Sequence, residues 1–166
     1  AALSYAANPT DVHAALFLRT LGPNPLELET ALSQQLDDRL SDDPILMRLA
    51  ALSDSLAQLP AATALTLVLD TVDLRHWAEA QPNAQQARAD LLRLEAEAAN
   101  FDIADRDLKA AAGFHGGTLK VFLGWLESRA NDGDADRHPD PSSNSAEAVE
   151  IITWHASKGR EWPITI

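Results

Sequence analysis

Proline and glycine punctuation is the feature that most constrains this chain. From Leu3 to Ala130 the breaks fall at Gly22-Pro23-Asn24-Pro25, Asp42-Asp43-Pro44, Pro60, Pro82-Asn83 and Gly113 to Thr118, and the stretches between them carry apolar residues at helical spacing. Thr10, after Asn8-Pro9, is placed to cap a helix bearing Val12, Ala15, Leu16 and Arg19. A second helix is expected from about Leu26, with Glu27 and Glu29 at the positive end of its dipole. Asp42-Asp43-Pro44 predicts the start of a third, striped by Ile45, Leu49, Leu52, Leu56 and Leu59, and Pro60 separates it from Leu65, Val68, Leu69 and Val72.

The most regular stripe follows Pro82-Asn83, where Ala84, Ala87, Leu91, Leu94, Ala98 and Phe101 alternate spacings of three and four. Such a seam serves either a coiled-coil partner or packing inside a bundle. Two heptads are short for an independent coiled coil, so bundle packing is the expectation. A shorter helix with Ile103 and Leu108 turned inward is expected to run to Gly113. A last one, Leu119 to Ala130, should bury Phe122, Trp125 and Leu126. The fold class expected is mainly α, a helical bundle over residues 1–130.

Composition then shifts. Residues 131–147 are rich in Asp, Ser, Asn, Pro and Gly and read as an acidic flexible linker. Within residues 148–166, Val149, Ile151 and Thr153 alternate with Glu150, Ile152 and Trp154, the pattern of a short β-strand. Pro163-Ile164-Thr165-Ile166 begins another, and two strands alone do not make a stable sheet, so their partners are expected in sequence beyond this chain. The opening without methionine and the apolar close suggest the same: a piece of a larger protein.

Of the 166 residues 46% are apolar, too many for a disordered acidic tail, yet no apolar run approaches the roughly 20 residues of a membrane span. Cysteine is absent, which removes disulfides, thiolate metal sites and thiol nucleophiles and favours a reducing, cytoplasmic setting. No basic leader precedes an apolar core at Ala1 to Ala7. A net charge of −12 leaves no surplus of cations for phosphate neutralisation, so any nucleic-acid contact must come from a small local site or from a larger parent.

Several constellations carry less than they first suggest. Asp132-x-Asp134-x-Asp136 starts like a calcium loop, but Arg137 stands where the sharp turn needs glycine and Ser143 where the bidentate glutamate belongs. Gly113-Phe114-His115-Gly116-Gly117-Thr118 lacks the Lys-Ser/Thr ending of a phosphate loop and follows no strand, so it reads as a helix break with an N-cap. His13, His76, His115, His138 and His155 show no pair at ligand spacing, and no serine sits in a nucleophile elbow.

Thr153 to Pro163 is different. It packs a hydroxyl, an imidazole, an ammonium, a glycine and a carboxylate into a strand-to-turn junction, where short side chains and bare amides can reach phosphate oxygens. Thr153, His155, Ser157, Lys158, Gly159, Glu161, Trp162 and Pro163 resemble, in order and spacing, motif V of the UvrD, RecB and AddA group of superfamily 1 DNA helicases. Arg160 stands where an apolar leucine is usual, and Trp154 is bulkier than the family's small aliphatic residue. More loosely, Asn8-Pro9-Thr10-Asp11 with Leu18-Arg19 is similar to the start of that family's helical 2B insertion, and Phe122-Leu123-Gly124-Trp125-Leu126 to its end.

The resemblance implies a 2B-like insertion over residues 1–130 and a return into a RecA-like 2A domain from residue 148. It implies that Thr153 and His155 touch the DNA backbone, with Lys158 counted on that side though placed to serve either, and that Gly159 and Glu161 face the nucleotide, Glu161 through the ribose. For the parent it implies a 3′-to-5′ translocase of recombination or repair, using ATP and Mg²⁺, with single-stranded or duplex DNA and a second helicase–nuclease subunit as partners. The chain contains no phosphate loop of its own, so alone it is expected to be inactive. The alternative is a free-standing acidic all-helical interaction domain with no catalytic role.

Overall fold

A computed structural model describes residues 1–131, and these are mainly helical, with no strand among them. The helices are α1 (Ala2–Ala7), α2 (Val12–Leu21), α3 (Leu28–Leu36), α4 (Pro44–Leu56), α5 (Ala61–Thr71), α6 (Leu74–Glu79), α7 (Ala84–Ile103), α8 (Arg106–Ala111) and α9 (Leu119–Asn131), with a 3-10 turn at Leu40–Asp42. The acidic linker, the Asp132-Asp134-Asp136 series and the strands expected from residue 148 lie outside the described residues.

α5 is the hub. It packs against α1, α4, α6, α7 and α9, and Ala61, Ala64, Leu65, Val68 and Leu69 are buried along it. Each large aliphatic side chain so buried stabilises the fold by roughly 1.5–3 kcal/mol relative to exposure. Pro60 stands at its N-cap with no side-chain acceptor to offer the first amides. Asp102 of α7 supplies one from 41 residues away, its two carboxylate oxygens each accepting at 3.0 Å from the Ala61 and Ala62 amides. One apolar cluster runs from Ala2 and Tyr5 of α1 to Phe122 of α9. At one end the Phe101 ring meets Phe122 and Trp125, each with centroids 5.4 Å away.

Several expectations are corrected in detail. The cap of α2 is Asp11, whose carboxylate accepts from the Ala14 amide at 2.9 Å; the Thr10 hydroxyl instead donates to Asn8 Oδ1 at 2.8 Å. α3 starts at Leu28, so Glu27 is its N-cap position and Glu29 remains in the first turn. In the stripe of α4, Leu49 and Leu56 are buried as expected, joined by Leu46, while Leu59 lies past the helix end. α6 interrupts the chain after Val72 and starts from Asp73 in the left-handed region, a turn with no proline or glycine to announce it. The α7 seam packs against α5 and α6, with Ala98 and Phe101 fully buried and Ala84, Ala87, Leu91 and Leu94 half-buried.

Ile103 and Leu108 are not inward: they are 83% and 73% exposed. Ile103 closes α7 two residues after Phe101, about 200° around the helix from a side chain that is fully buried. On α8 the inward position belongs to Lys109, whose ammonium lies 4.3 Å from the centroid of the Phe101 ring and donates to the Phe101 carbonyl at 2.7 Å. Leu108, one position back, is rotated away. Of the three residues expected to be buried in α9, Phe122 is fully so, and Trp125 and Leu126 are half-buried at the rim of the core.

Gly113 stops α8. Its amide donates to Ala110 O and the Phe114 amide to Lys109 O, the paired bonds of a Schellman close, with Gly113 at φ +88°. A Cβ there would meet nothing within 4 Å, so the cost of adding one is confined to the backbone. Gly113→Ala is expected to lower stability by about 1 kcal/mol, read as a lower urea midpoint at unchanged slope. An unchanged midpoint would remove the left-handed turn from this account.

Candidate functional site

The motif-bearing residues Thr153, His155, Lys158, Gly159 and Glu161 all lie outside the described residues. The two looser stretches of resemblance fall within them. Asn8 to Asp11 forms the turn from α1 to α2, with Leu18 and Arg19 buried farther along α2, and Phe122 to Leu126 lies in α9. α1 packs against both α2 and α9, so the first and last described helices are neighbours.

At the bundle end made by α8 and the loop to α9, a cleft of about 620 Å³ is lined by Asp102, Arg106, Asp107, Lys109, His115 and the Gly116-Gly117 backbone, among others. Helix α8 precedes the loop, as expected of a helix break rather than a phosphate loop, and Gly116 takes φ +101°. The charges in the cleft are partly committed. Asp102 caps α5 and Lys109 is held on Phe101, which leaves Arg106, Asp107 and His115 as the exposed charged or titratable groups of the cleft. Two acids, Asp102 and Asp107, balance Arg106 and Lys109, so the cleft has no cationic surplus with which to bind a polyanion strongly.

Sequence reasoning missed two polar clusters. The Arg19 guanidinium is 5% exposed: Nε donates to Asp43 Oδ2 at 2.8 Å, Nη1 to the Pro23 carbonyl at 3.0 Å and Nη2 to that of Asn24 at 3.2 Å. Asp43 Oδ1 also accepts from the Ile45 amide at 2.9 Å, so one carboxylate caps α4 and neutralises α2 together. Burial, with the Asp43 carboxylate adding to it, pushes the nearby Tyr5 hydroxyl above its ordinary ionisation range. In the second cluster Arg129 of α9 donates to Glu97 of α7 at 2.9 Å and stacks 4.6 Å from the Trp125 ring. Asp43-Pro44 announced a cap, but nothing local announced that Arg19 would share it.

The structure also brings together an apolar surface that sequence reasoning did not single out. Leu16, Phe17, Leu21, Leu26 and Leu28 line a groove of about 520 Å³ formed by α2 and the loop that leads into α3, with His13, Thr20 and Glu27 at its polar positions. Among the described residues, no three His, Asp or Glu side chains are grouped to hold a metal ion, and no helix is long and apolar enough to cross a membrane. Comparison of the chain with protein-family models, with curated proteins and with solved structures found no match in any of the three.

Proposed function

We propose that the chain is part of an ATP-dependent superfamily 1 DNA helicase of the UvrD, RecB and AddA kind. In this reading the helical body is a 2B-like insertion, residues 131–147 a linker, and residues 148–166 the return into a RecA-like domain. The observation that carries the reading is the match of eight residues, in order and spacing, between Thr153 and Pro163.

Thr153, His155 and Lys158 would meet the DNA backbone through a hydroxyl, an imidazole and an ammonium, groups suited to phosphate oxygens. Gly159 would let the nucleotide approach the backbone, and the Glu161 carboxylate would accept from a ribose hydroxyl. One short segment touching both ligands couples them, because a shift on the nucleotide side moves the DNA contacts. ATP with Mg²⁺ supplies the driving hydrolysis in the parent, held by motifs that these 166 residues do not contain. The reading places the parent in recombination or repair, in the cytoplasm, with a nuclease-bearing second subunit as a fitting partner.

The test is ATP hydrolysis by the product of the complete coding sequence, with and without single-stranded DNA. The reading expects magnesium-dependent turnover stimulated about tenfold or more by DNA, and none from residues 1–166 alone. DNA-independent behaviour of the complete product, or turnover by the 166 residues, would overturn it. A second reading, an acidic helical interaction domain without catalysis, is favoured by the exposed apolar faces of α2 and α3. It expects no turnover from either protein.

A further inference from the structure

α8 is attached to the bundle more thinly than the other helices. It buries none of its residues, and among the described residues it is the one helix with no broad contact to another. Arg106, Asp107 and Leu108 face solvent. A helix of six residues is far too short to be stable alone, and burial of an apolar face is what ordinarily holds so short a helix in place. α8 has neither support.

One side chain fastens it. The Lys109 ammonium, donating to the Phe101 carbonyl and set over the Phe101 ring, makes the side-chain hydrogen bond that joins α8 to another helix among the described residues. Both ends of α8 interrupt the helical path: Ala104 is extended, with ψ 147°, and Gly113 is left-handed. Beyond Gly113 the chain is planted again. The Phe114 ring is half-buried beside Gly124 of α9, where an added Cβ would meet Phe114 Cε1 at 3.9 Å. The thinly held segment is thus confined to residues 105–113.

That segment contributes Arg106, Asp107, Lys109 and Ala110 to the lining of the cleft of about 620 Å³. Asp102, which also lines it, is tied to the α5 amides, and Phe101 lies in the core, so neither is free to follow α8. Lys109 both fastens the helix and lines the cleft, which makes release of the one and widening of the other a single event. Elements that move are drawn from the least stable part of a fold, where little is buried and few contacts must break. We propose that α8 is a flap, latched by Lys109 on Phe101, which opens as one unit while the rest of the bundle stays folded and so widens this cleft. The inference is independent of the helicase reading.

The test is amide hydrogen exchange of the 166-residue chain, followed by NMR in increasing urea below the unfolding transition. The Ala112, Gly113 and Phe114 amides donate to the Leu108, Ala110 and Lys109 carbonyls and report the flap, while those of Leu65, Val68 and Leu69 in α5 report the whole bundle. The flap amides are expected to share one protection factor, at least about a hundredfold below that of the α5 amides. Their exchange should be nearly independent of urea, whereas exchange in α5 follows the slope of global unfolding. Lys109→Met keeps an apolar stem but removes the donor and the charge, and should speed exchange of the flap amides about tenfold. Lys109→Arg, which retains a cationic donor, should restore most of the protection. Lys109 is half-buried at the surface, so the variants retain the fold, which circular dichroism checks. Flap amides with the protection and urea slope of α5 would show that α8 opens only with the bundle, and would overturn the proposal. So would protection scattered from one flap amide to the next, the mark of independent fraying, or indifference of the flap amides to Lys109→Met.

Discussion

Arg19→Ala is expected to lower the unfolding free energy by about 3–5 kcal/mol, a large share of the roughly 5–15 kcal/mol that holds an ordinary domain together. The guanidinium is 5% exposed and the Asp43 carboxylate 12%, so removing one leaves the other charged and cut off from water. The loss also orphans the Pro23 and Asn24 carbonyls, which the same guanidinium satisfies. Asp43→Ala is expected to cost a comparable amount, because it strips α4 of its cap while leaving Arg19 unpaired. Since the two share one interaction, the double variant should fall well short of the sum, by at least about 1 kcal/mol. Urea unfolding of the four proteins in that cycle supplies the numbers. A loss below about 1 kcal/mol for Arg19→Ala would mean that the ion pair is solvated.

That pair also shows where local chemistry stops being legible. The start of α4 was readable because an N-cap and a proline at the first helical position act over three or four residues. The partner of Asp43 lies 24 residues upstream, and no spacing rule reaches that far. Thr10 and Asp11 were adjacent acceptors of similar quality, and a one-residue shift in the start of α2 decided between them. α8 failed for another reason. In a helix of six residues two or three apolar positions do not define a face, and the contact of Lys109 with Phe101 turned Leu108 outward.

The apolar ridge of α3 was illegible in a third sense. Leu28, Leu32 and Leu36 have the same spacing as a core stripe, and periodicity marks a face without saying whether the protein itself covers it. Thr153 to Pro163 is the reverse case. Its residues are contiguous, so the chemistry can be read in order, while which other residues would surround them is not written in the segment itself.

The larger functional effect is expected at that segment. On the helicase reading, His155→Ala in the product of the complete coding sequence should raise the DNA concentration needed for half-maximal stimulation of ATP hydrolysis, because that reading makes it a donor to the DNA backbone. On the same reading Glu161→Ala should act on the nucleotide side, raising KM for ATP, because it would remove the acceptor proposed for the ribose. If one segment joins the two ligands, the paired variant loses more than either side alone accounts for, about a hundredfold in DNA-stimulated turnover, or about 2.7 kcal/mol of activation free energy. Residues 1–131 contribute no side chain to either contact in this reading, so the thermal unfolding of the helical body should be unchanged. The most direct measurement is therefore the rate of DNA-stimulated ATP hydrolysis by the His155→Ala, Glu161→Ala protein. A fall of about a hundredfold with the fold intact is the expected result, and a rate equal to that of the unsubstituted protein would contradict the account.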